Sequence, residues 1–267
     1  MSNATRSEAA KNKALANYDA ACIERPMGER WVAMQNGLTR AAQGLTLAEK
    51  RIVMIGMSML DSRRAANPAK PPVTRITAAE YAEHAQCEMS AAYEALQTAA
   101  KNLYNRSITV FQPSHKRGRK RIGDKGTVIQ MRWVGRATYH EGEAWIELAW
   151  WHEVLPYLTG LQKQFTKYQL GQAAALRSVY SWRLLELLSR FQSTGKAEYT
   201  IEDFKKSMDA PPSLSDFAQV KRRIIEPAVK ELTEKDGWLI QWEPIKRGRR
   251  VASVRFTFMR DPQGRLL

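Results

Sequence analysis

The chain has 267 residues and a formal net charge of +15 at pH 7, from 42 basic and 27 acidic side chains. Apolar residues make up 44% of the sequence, an ordinary share for a folded protein, and the length suits two domains. The longest apolar run, residues 52–60, is too short to span a bilayer, and no signal-peptide pattern opens the chain. Two cysteines exclude a disulfide framework and a thiolate metal cage. We therefore expect a cytoplasmic protein with no membrane partner and a polyanionic ligand.

The basic residues are concentrated in two ten-residue windows. Residues 116–125 (KRGRKRIGDK) and 246–255 (KRGRRVASVR) each lie between two β-rich stretches, so each predicts a β-hairpin with a positively charged tip. Gly118 and Gly248 allow a tight turn at each tip. The flanking stretches are Ser107–Gln112 with Thr127–Val134, and Trp238–Trp242 with Val251–Met259. We call the two predicted hairpins the first and the second wing.

Helix start signals precede the first wing. Thr46 and Glu49 form a predicted capping box for a helix to Asp61, and Thr77 and Glu80 form another for a short helix to about Ala85. Ser90 is the predicted N-cap of a third helix. After the wing, residues 144–160 predict a strand and a short helix.

The second half of the chain repeats this order. Residues 172–191 predict one long amphipathic helix, and Thr200-x-x-Asp203 predicts the start of a helix to about Met208. Ser213 or Ser215 is predicted to begin the next helix, in which Pro227 predicts a kink or a new helix start. The second wing follows.

The spacing between equivalent features indicates a duplication. Thr77 and Thr200 lie 123 positions apart, as do Ser90 and Ser213, and the first lysines of the two wings lie 130 apart. Two copies of helices followed by a basic hairpin predict an α+β, mostly helical fold of two tandem winged-helix domains. The alternative is two unrelated α+β modules. The predicted division is a flexible arm at 1–30, an N-terminal winged-helix domain at 31–165 and a C-terminal one at 166–267.

This fold predicts duplex DNA as the polyanion. In a helix-turn-helix pair the second helix enters the major groove, where Arg can bind guanine and Gln can bind adenine, while a basic wing binds phosphates. We call the helix from Ser90 and the segment 216–225 the first and second recognition helices. The first carries little charge, so contact with phosphates or with protein stays open beside base recognition. The predicted DNA contacts are Ser90, Gln97, Lys101, Lys116, Arg117, Arg119, Lys120 and Arg121 in the first module, and Ser215, Gln219, Lys221, Arg222, Arg223, Lys246, Arg247, Arg249 and Arg250 in the second.

Enzyme signatures are missing from the sequence. The four histidines are never two or four positions apart, which excludes a local His-x-His metal pair, and no G-x-S-x-G elbow is present. Gly118-x4-Gly123 is followed by Asp-Lys and lies in a predicted hairpin, unlike a phosphate-binding loop. We expect no catalytic residue, no metal and no cofactor. Most of the eight tryptophans alternate with polar residues in predicted strands, which favours core packing over stacking on single-stranded bases.

Several segments resemble one known family. YSWRLLELLSRF, TIEDFKKSMD, DFAQVKRRIIEPAVKEL and IKRGRRVASVRFTF resemble the C-terminal domain of the initiator Rep proteins of iteron-containing bacterial plasmids. GLTLAEKRIVMIGMSML and the helix ending KNLYNRSI resemble the N-terminal domain of that family. The resemblance covers roughly residues 36–260, and its most specific part is 178–258.

The resemblance implies a plasmid replication initiator of the bacterial cytoplasm. Such a protein binds repeated duplex sites, called iterons, at the origin, helps to melt AT-rich DNA and loads the host helicase. The resemblance also implies contacts with the host initiator. It further implies a dimer, joined through the N-terminal domain, that represses the rep promoter. The alternatives are a two-module transcriptional regulator, a general RNA or single-strand binder and, most remotely, a nicking enzyme.

Overall fold

The computed structural model describes residues 25–112, 126–140 and 142–261. Its helices are α1 (Asn36–Arg40), α2 (Leu47–Ser58), α3 (Ala78–Ala85), α4 (Met89–Leu103), α5 (Leu155–Leu158), α6 (Val179–Ser189), α7 (Ile201–Ser207), α8 (Phe217–Val220) and α9 (Glu226–Asp236). Its strands are β1 (Trp31–Gln35), β2 (Val73–Thr77), β3 (Ser107–Gln112), β4 (Thr127–Arg132), β5 (Val134–His140), β6 (Trp145–Trp150), β7 (Phe165–Gln169), β8 (Lys196–Thr200), β9 (Trp238–Arg247) and β10 (Arg250–Arg260). Short 3-10 turns lie at Met27–Glu29 and Leu170–Ala173, and a π-helical turn lies at Lys221–Ile225.

The repeated element order is confirmed: each half runs helix, strand, two helices and an antiparallel strand pair. In the second half, strands β8, β10 and β9 form one three-stranded sheet, with β8 beside β10. In the first half, β3 and β4 form a two-stranded sheet, and β2 instead pairs with β6, which also pairs with β5. Both halves are winged-helix domains, and the first contains two additional sheets, one of β2, β6 and β5 and one of β1 and β7.

Some of the predicted helix starts are present in the structure and others are displaced. Both predicted capping boxes are present, at Thr46–Glu49 and Thr77–Glu80, and Thr200 accepts a hydrogen bond from the Asp203 amide. The Ser90 prediction is wrong, because helix α4 starts two residues earlier, with Glu88 at the N-cap position. The prediction of Ser213 or Ser215 as a helix start is also wrong. Asp216 is the N-cap there, and its carboxylate accepts the Gln219 amide at 2.8 Å.

The long helix predicted over residues 172–191 is two separate pieces. A 3-10 turn ends at Ala173, and α6 begins only after Ser178. Ser178 has an extended backbone, and its hydroxyl accepts a hydrogen bond from the Tyr180 amide, which starts a new helix at that point. The amphipathic spacing is correct on both sides of the break, so periodicity alone could not show it.

Residues 25–30, within the predicted flexible arm, pack on the folded chain. Met27 is buried, and the Arg30 guanidinium lies 3.5 Å from the Glu80 carboxylate. The backbone at Gly28 also lies against Gly171. The rest of the predicted arm, residues 1–24, lies outside the described residues. The arm prediction therefore fails for 25–30, because the apolar Met27 side chain is buried in the core.

The predicted domain boundary falls inside a paired strand. Strand β7 spans the predicted boundary at 165/166, and its residues pair antiparallel with β1, which begins the N-terminal domain. Helix α6, farther along the chain, packs against β7. Helix α6 also packs against α9 of the second half, so it contacts both halves, and the division into domains stays a prediction.

The core is continuous across the two halves. Trp133, Trp150 and Trp238, three of the tryptophans assigned to packing, are buried. Trp145, Trp151 and Trp242 are half-buried. Among the described residues, no helix combines the length and apolar character needed to cross a bilayer.

Candidate nucleic-acid interface

The second recognition helix has one buried face. The Asp216 side chain caps it, and Val220, Ile224 and Ile225 are completely buried beneath it. Lys221, Arg222 and Arg223 are exposed, and Gln219 is half-buried. Burial of the apolar positions therefore fixes the direction in which the three consecutive cations point.

A π-helical turn coincides with these cations. Residues Lys221–Ile225 form the π turn, and Pro227 lies in the first turn of the helix that follows. Proline has no N–H, so the Arg223 carbonyl cannot receive the usual i+4 hydrogen bond. The missing hydrogen bond accounts for the local departure from α-helical geometry. It agrees with the kink or new helix start predicted at Pro227. π turns of this kind are common at functional sites.

Arg222 and Arg223 are available for a ligand. Within the described chain, neither guanidinium makes a hydrogen bond or an ion pair, whereas Lys221 lies 3.5 Å from the Glu226 carboxylate. Two unpaired, exposed guanidiniums on the face of a recognition helix suit bidentate binding to guanine. Ser215 is exposed just before the helix, where its carbonyl accepts a long hydrogen bond from Lys205.

The second wing is a regular hairpin. Arg247 pairs with Arg250, so Gly248 and Arg249 form a two-residue turn. Gly248 has φ +61°, a left-handed conformation at the first turn position that glycine adopts without strain. Lys246, Arg247, Arg249 and Arg250 are all exposed, and no hydrogen bond or ion pair joins their side chains to the described part of the chain. The predicted cationic tip is therefore confirmed as a structure, while its contact with DNA stays a prediction.

Trp242 joins the second recognition helix to the second wing. Its ring lies edge-on to Phe217 with 6.4 Å between centroids, and the Lys221 ammonium lies 5.8 Å from its ring centroid. The helix and the hairpin therefore form a single surface. Sequence reasoning assigned Trp242 to core packing and missed this role, although its position four residues before Lys246 on the same strand was a usable signal.

Arg255, the last cation of the 246–255 window, is neutralised by two acids. Its guanidinium lies 3.0 Å from Glu198 on β8 and 3.0 Å from Glu243 on β9. Hydrogen bonds from Ser253 and then Arg255 lower the pKa of the Glu198 carboxyl. Within the 246–255 window, the positive charge available to a ligand is thus confined to the tip of the wing, residues 246–250.

The first recognition helix presents a different surface. Ser90 and Lys101 are exposed on α4 and Gln97 is half-buried, but Lys101 lies in the last turn, away from the N-terminal end that usually meets bases. Met89 and Tyr93 are exposed near the N-terminal end. The structure brings no cluster of cations onto this helix, in agreement with its low charge in the sequence.

The first wing is described only at its base. Strands β3 and β4 pair antiparallel within the two stretches predicted as strands. The pairing runs from Ser107 opposite Arg132 to Gln112 opposite Thr127. The Arg132 guanidinium lies 4.3 Å from the ring centroid of Tyr104, at the end of the first recognition helix. The five predicted tip contacts, Lys116, Arg117, Arg119, Lys120 and Arg121, lie outside the described residues.

The described residues contain no group of three or more His, Cys, Asp or Glu side chains arranged to hold a metal ion. His84 is buried against Trp182, with 5.7 Å between ring centroids, and burial lowers its pKa to about 4. His84 therefore belongs to the core.

Comparison with known proteins identifies both halves of the chain. Residues 31–189 match the family model described as initiator replication protein, WH1, and residues 200–258 match that described as initiator Rep protein, WH2. The first match extends beyond the boundary predicted at 165/166.

Two Escherichia coli proteins are similar to the chain over most of its length. An uncharacterized 27.6 kDa protein is 25% identical over 231 residues, covering 84% of this chain and 93% of that protein. A replication initiation protein is 24% identical over 242 residues, covering 89% and 72% respectively. A crystal structure of the Pi initiator protein in complex with iteron DNA has the same fold, with a TM-score of 0.72 and 20% identity, covering 88% of this chain and 99% of that one. On the two family matches, which run from the first core strand to the end of the second wing, the chain belongs to the initiator Rep protein family, with a WH1 domain followed by a WH2 domain.

Proposed function

We propose that this protein initiates plasmid replication by binding repeated duplex DNA sites at the origin through both winged-helix domains. The observation that carries the proposal is the pair of exposed guanidiniums, Arg222 and Arg223, on a helix that packs through Phe217 against Trp242 of the cationic second wing. A surface with base-reading cations and a phosphate-binding hairpin suits sequence-specific duplex binding. The similar fold of an initiator crystallised with iteron DNA supports the choice of ligand.

The two domains have different roles in this proposal. The second recognition helix reads base edges through Gln219, Arg222 and Arg223, and the wings bind phosphates on either side. The first recognition helix, with little charge, adds mainly orientation through Ser90, Gln97 and Lys101. Because the domains are covalently joined, binding by one raises the effective concentration of the other, and modest affinities combine into tight binding.

The later steps of initiation are part of the same proposal. Bound copies help to open the adjacent AT-rich DNA, and contacts with the host replicative helicase and host initiator assemble the replication machinery. A dimer formed through the N-terminal domain represses the protein's own promoter. The place of action is the bacterial cytoplasm, and the proposed role is binding without catalysis.

The test is selection from a pool of random duplexes at near-physiological salt. The expected result is one long motif with two conserved blocks about ten base pairs apart, because each block faces one domain on the same side of the helix. Tandem copies of the motif near the gene support an origin, whereas a single copy at a promoter supports a transcriptional regulator.

A competition experiment addresses the remaining alternative. Single-stranded DNA or RNA of the selected sequence should compete at least about tenfold more weakly than the duplex, because base-edge recognition needs the major groove. Failure to enrich any duplex, or stronger competition by single strands, would contradict the proposal.

A further inference from the structure

The loop after helix α1 is held by the segment that precedes the second recognition helix. The carboxylate of Asp209 accepts hydrogen bonds from the backbone amides of Gln43 and Gly44, at 3.1 Å and 2.6 Å. Asp209 has φ +55°, a left-handed conformation that Asp tolerates better than most residues. Asp209 comes two residues after helix α7 ends, so it fixes the end of the helix that packs before the recognition helix.

Arg183 makes a second connection at the same place. One of its terminal nitrogens donates to the Thr39 and Ala41 carbonyls, at 2.9 Å and 2.6 Å, and also to the Ser207 carbonyl. Its Nε donates to the same Ser207 carbonyl at 2.8 Å. The arginine is 1% exposed. It therefore joins the loop after α1 to the end of α7 without access to water.

Three further contacts lie around these hydrogen bonds. The Ser207 hydroxyl donates to the Arg40 carbonyl at 3.1 Å, and the Arg40 guanidinium lies 3.5 Å from the Asp203 carboxylate. The Lys206 ammonium lies 5.0 Å from the ring centroid of Phe111, on strand β3. We call this set, residues 39–44 with Arg183 and residues 203–209, the module junction.

The loop in the module junction is itself fixed to the first wing. Ala42 and Thr109 on β3 exchange two backbone hydrogen bonds, at 3.0 Å and 2.8 Å. The buried Trp133 indole donates to the Gln43 carbonyl at 3.0 Å. Gly44, at φ +62°, lies so close to the Ser107 carbonyl that a Cβ there would be 2.9 Å from it. A continuous path of hydrogen bonds thus runs from helix α7 to the base of the first wing.

We propose that the module junction sets the spacing between the two blocks of DNA sequence that the protein can bind. Inserting one base pair between the blocks moves the second block by about 3.4 Å along the axis and about 34° around it. A flexible tether would follow that movement. A junction held by the buried Arg183 side chain and by the exposed Asp209 carboxylate, each hydrogen-bonded to the backbone of the loop after α1, would not. This inference rests on the proposed function, since it requires both domains to contact one duplex.

The test compares wild type with Asp209→Gly on duplexes that carry the two selected blocks at spacings of −1, 0, +1 and +2 base pairs. Glycine keeps the left-handed backbone conformation and removes only the carboxylate. Wild type should lose about tenfold or more in affinity at each incorrect spacing, because one domain loses its contacts. Asp209→Gly should bind the optimal duplex more weakly and should lose less than about threefold when the spacing changes.

A control variant and a structural readout accompany the binding data. Asp209→Asn keeps both an acceptor oxygen and tolerance of the left-handed conformation, so it should restore most of the spacing preference. Hydrogen exchange at the Gln43 and Gly44 amides should be faster in Asp209→Gly than in wild type. Should Asp209→Gly fail to fold, Arg40→Ala, which removes the exposed ion pair with Asp203, takes its place in the spacing series.

The outcomes separate the inference from the function on which it rests. A wild-type protein with a sharp spacing preference that Asp209→Gly retains, despite faster exchange at the two amides, overturns the role of the module junction alone. Unchanged exchange at these amides overturns the assignment of Asp209 as a clamp. A wild-type protein that binds no two-block duplex overturns both the function and this inference.

Discussion

Lys50 and Glu186 form an ion pair with no solvent exposure on either side chain. They belong to helices α2 and α6, 136 positions apart in the chain, and the ammonium lies 2.8 Å from the carboxylate. Arg183 reaches the other carboxylate oxygen at 2.8 Å, and the Tyr168 hydroxyl donates to the first at 3.1 Å. Burial lowers the pKa of Lys50 to about 8, against the opposing attraction of Glu186. The charge at this position is thus tolerated only because its partner is present.

Removing the acid should destabilise the fold strongly. Glu186→Gln leaves the ammonium of Lys50 and the guanidinium of Arg183 buried without a counter-charge, and the expected loss in free energy of unfolding is about 3–5 kcal/mol. Urea denaturation at neutral pH measures it.

The matched control is an exposed ion pair. Lys230 and Glu234 lie one helical turn apart with 3.9 Å between the charged atoms, both largely exposed, so Lys230→Gln should cost less than about 1 kcal/mol. Equal losses for the two variants would show that the buried pair contributes no more than a surface pair.

His84 should make stability depend on pH in the acid range. Its pKa falls from 6.5 to about 4 on folding, chiefly because burial disfavours the charged imidazolium. Between these pH values the unfolded chain binds a proton that the folded chain does not. Its contribution is therefore fully present above pH 6.5 and is lost as the pH falls toward 4, by about 3 kcal/mol in total.

His84→Phe provides the comparison, since a phenyl ring keeps the stacking on Trp182 and cannot be protonated. Urea denaturation of both proteins at several pH values from 7 to 4 should show a steeper decline for wild type. The other titrating groups are shared by the two proteins, so the difference between their pH profiles of stability reports on His84. If the two profiles were parallel, His84 would not be buried in its neutral form.

Most local elements could be predicted from the sequence, because their causes are local. The capping boxes at Thr46 and Thr77 need only residues three positions apart, and both are present. The wing strands alternate apolar and polar residues beside a glycine turn, and the second wing forms as predicted. Strands β2 and β8 were missed because each has only five residues, and their partners, β6 and β10, lie more than fifty positions away.

The same distinction between local and non-local causes applies to the candidate DNA-binding surface. The cations of the second recognition helix and the second wing could be named from the sequence, since their exposure follows from the helical and strand periods. Neutralisation of Arg255 could not, because Glu198 and Glu243 reach it only through non-local strand pairing. The module junction was also missed, since Asp209 and Gly44 are 165 positions apart and no sequence pattern connects them.

Gly171 should tolerate no side chain. A Cβ there would lie 2.9 Å from the Gly28 carbonyl oxygen and 3.0 Å from the Gly28 Cα, and backbone cannot yield as a side chain can. Gly171→Ala should therefore lower the free energy of unfolding by about 1–3 kcal/mol through overpacking. Gly28→Ala is the control, because its Cβ would meet the nearest atom at an ordinary 3.6 Å. Similar urea denaturation midpoints for both variants would contradict the close packing of residues 25–30 on the fold.

The second recognition helix and the second wing should respond differently to loss of charge. Arg222→Ala and Arg223→Ala should each reduce affinity for the selected duplex by about 1–3 kcal/mol and leave binding to random duplex nearly unchanged, because guanine contacts discriminate between sequences. Arg249→Ala and Arg250→Ala should weaken binding to both duplexes similarly. For each wing variant the slope of log affinity against log salt should become shallower by about 0.9, the value of one phosphate contact.

Fluorescence anisotropy at several salt concentrations measures all of these effects. Lys196→Ala is the matched control for net charge, because Lys196 is an exposed cation on β8 that pairs with Thr257, far along the sheet from the wing tip. It should change neither the affinity nor the salt slope appreciably. If all five variants lost affinity equally on both duplexes, the +15 charge would act as a diffuse attraction, and Arg222 and Arg223 would have no role in sequence recognition.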